Sequence, residues 1–223
     1  MRRRGLTWFA PILLLLAMVV MLPGAARAQL HVSLRGIHME PTGKDARDFS
    51  SSAFGGGLHL TAPVPGAEDF LAASLGIELV SLRSETHEFR DSQTALRVQQ
   101  ETNQDYFRLY LGPELGPRGH GFFRPHAGAH IAFINYGIAT DVVVPDDIDR
   151  ENEIRQSLRS EHRPTFGYDL DAGANLNFGK WFIDGGALFS KSFNVPQQLG
   201  DGAVTIHPGY VQIYFGVGAN FVY

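Results

Sequence analysis

Residues 166–178 alternate in a way that only a strand can satisfy. Phe166, Tyr168, Leu170, Ala172, Ala174, Leu176 and Phe178 form one set; Gly167, Asp169, Asp171, Gly173, Asn175 and Asn177 form the other. A helix scatters both sets around its circumference, whereas a strand sends them to opposite faces. The apolar set begins and ends in aromatics, the pattern of a strand that crosses a bilayer from one interface to the other. The last segment repeats it. Val211, Ile213, Phe215, Val217, Ala219, Phe221 and Tyr223 share one face, and Gln212, Tyr214, Gly216, Gly218 and Asn220 the other. Six noisier segments, about 30–39, 53–61, 70–82, 106–115, 122–135 and 181–192, bring the expected number of strands to eight.

The connections between these segments alternate between long and short. Gly179-Lys180 is a two-residue hairpin turn, Pro63, Pro65 and Gly66 mark another short turn, and Pro117 and Gly119 a third. Long outer loops and short inner turns in strict alternation describe an up-and-down barrel with both termini on the inner side. Within the longest loop, Asp146 to Arg159 is densely charged and reads as a short helix or a hairpin extension. Period two alone does not say which face is inside. The polar face does, because it is rich in glycine: Gly55, Gly57, Gly76, Gly128, Gly167, Gly173, Gly216 and Gly218. Small residues suit the crowded interior of a narrow barrel, while on a solvated exterior they only weaken strands. The expected fold is therefore all-β, an eight-stranded antiparallel up-and-down transmembrane β-barrel with its apolar face in lipid.

Residues 1–28 read as a cleaved signal peptide, which leaves 29–223 as one barrel domain. Arg2, Arg3 and Arg4 precede an apolar run from about Leu6 to Leu22, and Ala26-Arg27-Ala28 gives the small-residue cleavage site. The signal holds four arginines and no acidic residue, so its removal takes the net charge from −4 to −8. An acidic chain without a basic stripe excludes nucleic acid as a partner. The absence of cysteine excludes disulfides and thiolate metal sites.

The aromatic-ended alternation Phe215, Val217, Ala219, Phe221, Tyr223 resembles the C-terminal assembly signal of bacterial outer-membrane proteins, with Tyr where Phe is usual. Trp181-Phe182-Ile183-Asp184-Gly185-Gly186-Ala187 likewise resembles a penultimate strand of the small OmpA/OmpX-like, porin-like barrels. The resemblance implies a bacterial outer-membrane location. The partners it implies are outer-membrane lipid and lipopolysaccharide, with the assembly machinery during insertion; a closed barrel needs no second copy, so a monomer is expected.

Chemistry-bearing residues gather on the inferred inner face: His31, Arg35, His59, Glu78, Arg108, Glu114, Arg124, His126, His130, Asp169, Asp171 and Asp184. Both signs occur, and buried charges need partners. The leading reading is an ionic network that fills the lumen of a structural or surface-interaction protein, with Glu78, Arg108, His130 and Asp171 as its central cluster. A second reading is a narrow gated channel for ions or small solutes. A third is a lipid A-modifying enzyme, for which Ser190, Ser192 and His207 are the only loose candidates. His126 and His130 lie about 13 Å apart along a strand at ~3.3 Å per residue, too far to share an ion. No catalytic residue, metal or cofactor is expected.

Overall fold

The computed structural model describes residues 29–90, 97–118, 121–144, 154–199 and 202–222. The expected signal peptide, Gly119 and Tyr223 lie outside them. Among the described residues ten strands and one helix form: β1 (Gln29–Thr42), α1 (Gly43–Phe49), β2 (Ala53–Pro63), β3 (Leu71–Arg90), β4 (Arg97–Leu115), β5 (Phe123–Val144), β6 (Ile154–Phe178), β7 (Trp181–Ser192), β8 (Val195–Leu199), β9 (Gly202–Ile206) and β10 (Gly209–Val222). Eight of the strands close into an antiparallel barrel in the order β1-β10-β7-β6-β5-β4-β3-β2. Closure runs along the whole of β1 and β10, from Gln29 opposite Val222 to Thr42 opposite Gly209. Closure leaves no open edge in lipid, where an unpaired backbone group finds no water.

The alternation assigns the faces as expected. Leu34, Leu79, Ile131, Leu170, Ile213, Phe215 and Val217 are exposed on the outside, while Arg35, Glu78, Arg108, His130 and Asp169 are buried within. On β6 the apolar row spans twelve residue steps from Phe166 to Phe178. That is roughly 40 Å of strand, or about 30 Å of bilayer at a barrel tilt near 40°. Aromatic pairs mark both rims, Phe133 with Phe166 at 5.7 Å and Phe122 with Phe178 at 5.5 Å between ring centroids. Gly179 has φ +79°, and β6 and β7 are joined through Gly179-Lys180 alone. Glycine as the first residue of a two-residue loop is what a type II′ hairpin turn requires.

Three features depart from the sequence expectation. First, two expected long loops are strand. β3 and β4 stay paired out to Arg90 opposite Arg97, β4 and β5 to Gln99 opposite Val143, and β5 and β6 to Val144 opposite Ile154. β2 and β7 stop pairing with this unit at Ser81 and Gly167. Strands β3 to β6 thus rise beyond the ring as a four-stranded sheet, roughly 25–30 Å of extra strand. It carries bulges between Ser81 and Arg83 and between Thr140 and Asp141, where the pairing slips past Leu82 and Leu158. Its β3, β4 and β6 parts are mostly polar while β5 brings Ile138, Val142, Val143 and Val144, so no single apolar period runs through it. Of the charged stretch Asp146 to Arg159, the part from Ile154 onward is this extension, and 145–153 lies outside the described residues. Second, the connection before β10 contains the β8–β9 hairpin. Third, α1 occupies the first outer loop, with Ser50 N bonded to Ala46 O at its end.

Candidate functional site

The lumen holds nearly every chemistry-bearing side chain in the spanning region, and it is divided into layers. At the waist, two strands carry the same motif, a polar residue between two inward tyrosines: Tyr106, Arg108, Tyr110 on β4 and Tyr210, Gln212, Tyr214 on β10. Arg108 is wholly buried. It is paired with Glu78, stands 3.3 Å from Asp169 Oδ1, and donates to Gln212 Oε1 at 3.0 Å. Gln212 in turn donates to Met39 Sδ at 3.3 Å. A guanidinium presents several donors in one plane, which lets a single residue tie β3, β6 and β10 across the lumen.

Below the waist, toward the turns, the filling is ionic. Arg35 Nε and Nη2 donate to Asp184 Oδ2 at 2.6 and 2.5 Å, and its guanidinium lies over the Tyr214 ring at 4.2 Å. His59 Nδ1 meets the Tyr110 hydroxyl at 2.9 Å and its Nε2 meets Glu114 Oε2 at 3.2 Å. Asp171 sits between the two histidines of β5, 3.7 Å from His126 Nε2 and 3.6 Å from His130 Nδ1. His130 and Asp171 therefore belong to this layer and not to the Arg108 cluster, which corrects the expected central four. Arg124 is half-buried at the turn end, where Nε donates to Gly121 O at 3.3 Å. Glycine makes room here: a Cβ on Gly76 would collide with the Tyr110 ring.

Above the waist the filling is apolar, which corrects the expectation of a polar network throughout. Met39, Val80, Leu82, Tyr106, Ile134, Tyr136, Leu188 and Tyr210 form one buried cluster with Ala46 of α1, Val195 of β8 and Ile206 of β9. Helix and hairpin are thus lids on an apolar plug. They are tied together where His207 N donates to Asp45 Oδ2 at 3.0 Å. The signal for this layer was the inward row of tyrosines, Tyr106, Tyr136 and Tyr210, whose rings meet at 5.4 and 5.8 Å.

The residues considered for acyl chemistry are not brought together. Ser190 and Ser192 point into the lumen, where Ser192 Oγ bonds the Tyr136 hydroxyl at 2.8 Å and Ser190 Oγ lies 3.5 Å from that of Tyr106. His207 Nδ1 instead contacts Phe193 O. One polar set on the outer surface escaped the sequence reading: His38 Nε2 lies 2.9 Å from Glu40 Oε1, and Ser52 Oγ donates to Glu40 Oε2 at 2.7 Å. The serine proton faces the carboxylate and not the imidazole, so the set lacks the nucleophile–base contact of a serine hydrolase. Among the described residues no group of three or more His, Asp or Glu is placed to hold a metal.

No protein-family model matches the chain, and no curated protein matches it. Among solved structures it is similar to Neisserial surface protein A, with a TM-score of 0.57 over 87% of this chain and 99% of that one, at 10% identity. The fold is that of a small outer-membrane barrel. With the apolar belt described above, it places the chain in the bacterial outer membrane. Looser likenesses are OprG of Pseudomonas aeruginosa (TM-score 0.45, 14% identity, 88% of this chain and 96% of that one) and Ail of Yersinia pestis (0.45, 12%, 87% and 98%).

Proposed function

We propose that this protein is a sealed, non-catalytic barrel whose role is structural and surface-directed, carried by the sheet that β3 to β6 raise outside the membrane. The observation that supports this reading is the continuous filling of the lumen. An apolar plug, a wholly buried arginine at the waist and an ionic layer follow one another. Among the described residues, two cavities at the turn end have about 10 Å³ each, room for roughly one water. A narrow channel would need these layers to part. The projecting sheet, in contrast, presents Phe89 and Leu158 to the exterior, 48% and 58% exposed.

The partners proposed for that surface are lipopolysaccharide and neighbouring envelope components. Placing a photo-crosslinking amino acid at Phe89 or Leu158 in intact cells tests this. Adducts with lipopolysaccharide sugar or a surface protein are expected at both positions, and only lipid-chain adducts at Ile131 in the belt. Irradiation that yields no adduct at either position would contradict a surface role.

A further inference from the structure

We propose that the inner mouth of the barrel holds a binding site for one small monovalent anion, of halide size. The cavity there is lined by His31, Glu114, Arg118, Arg124, His126 and Asn175. Three buried nitrogens on this lining have no hydrogen-bond partner: His31 Nε2, Arg118 Nε and His126 Nδ1. Their residues come from β1, the β4–β5 turn and β5, so the convergence is a product of the closed barrel. His31 and His126 are each only 7% exposed. Arg118 Nε is a donor under all conditions, and each imidazole donates from the named nitrogen in one of its tautomers.

Charge points the same way. Arg118 is matched by Glu114, at 2.7 Å, and Glu114 also faces His59. Among the described residues Arg124 has no carboxylate partner. Its acceptors are neutral, Gly121 O at 3.3 Å and, with the Asn177 amide turned to satisfy both groups, Asn177 Oδ1 at 2.8 Å. The cavity lining therefore carries one positive charge in excess with both histidines neutral. Deeper in, Asp184 is held by Arg35, and Asp171 lies on the Nε2 side of His126, where Tyr214 also bonds at 3.0 Å. Neither carboxylate meets the three free nitrogens. One acceptor on the lining is unmet as well, Asn175 Oδ1, and turning that amide offers a further donor. About 10 Å³ of free space is near the minimum for one water-sized occupant, which excludes phosphate and sulfate and leaves a monatomic anion as the nearest fit. A buried set of donors whose positive charge Glu114 balances only in part is stabilised by an anion.

Crystals grown in sodium bromide test the proposal directly. One anomalous peak is expected within hydrogen-bonding distance of His31 Nε2 and Arg118 Nε. In solution, sodium chloride should raise the thermal unfolding midpoint saturably, and sodium gluconate at equal ionic strength should not. Arg124→Gln should weaken the half-saturating chloride concentration by about tenfold or more, the worth of a charge-assisted contact. Heat-modifiable migration on a denaturing gel shows that this variant still forms the barrel. A water without anomalous signal at the site would overturn the proposal. So would an equal response to gluconate, or an unchanged chloride response in Arg124→Gln.

Discussion

Arg108 is the side chain on which the two halves of the lumen meet, and its burial makes it costly to disturb. Removing a buried ion-pair partner leaves the others charged in a low-dielectric site, a loss of about 3–5 kcal/mol. Arg108→Leu should destabilise the barrel by about that much in urea unfolding from lipid vesicles. Converting Glu78 and Asp169 to Leu in the same chain should recover most of the loss. An Arg108→Leu variant within about 1 kcal/mol of the parent would show that the waist is not held this way. Outside the membrane, Glu161 receives two bonds from Arg159, at 2.7 and 2.8 Å, and one from Arg163 at 2.9 Å. These hold its carboxyl down from the ordinary 4.5 to about 2. The contact is therefore fully present above the ordinary value and is lost as pH falls through about 2. Carbon-13 NMR of the side chain should show Glu161 still ionised at about pH 3. A midpoint near the ordinary value would contradict the fork geometry.

At the scale of elements, the alternation in β6, β7 and β10 was legible because one face meets lipid and the other a crowded lumen. The contrast between the faces is then largest. The inward direction of Glu78, Arg108, Glu114, His126, His130, Asp169 and Asp171 follows from it, because a strand fixes side chains to alternate faces. Partnership across the lumen was not legible, since it depends on stagger: nothing local says that Arg108 reaches Gln212 while His130 reaches Asp171. The strand extensions of β3 to β6 were hidden for the opposite reason. Mostly polar stretches on β3, β4 and β6 carry no apolar period to read. The assembly role proposed for β10 belongs to this scale. Phe215, Val217 and Phe221 form an exposed outer row, with Ala219 in register between them and Tyr223 beyond the described residues. Deleting residues 221–223 should abolish insertion, read as loss of the heat-modifiable band from outer-membrane fractions. Normal levels of the truncated protein there would remove the assignment.

For the whole molecule, the layering separates two tasks. The closed ring and its belt satisfy the membrane, and the lumen fixes the ring from within. The outer end combines two lids with a four-stranded sheet. The lids α1 and β8–β9 cover apolar side chains, and on the proposed reading they act as a seal whose own stability comes from the plug. Beneath them, the buried Arg108 layer is a second, chemically different barrier. On the proposed sealed reading, trimming the lids alone leaves the path closed. The decisive measurement is planar-bilayer recording of the purified full-length barrel. A sealed lumen predicts no unitary steps above the bare bilayer, with or without the lids. Discrete steps in the parent protein, altered in size by substitution of Arg108 or Glu78, would contradict it.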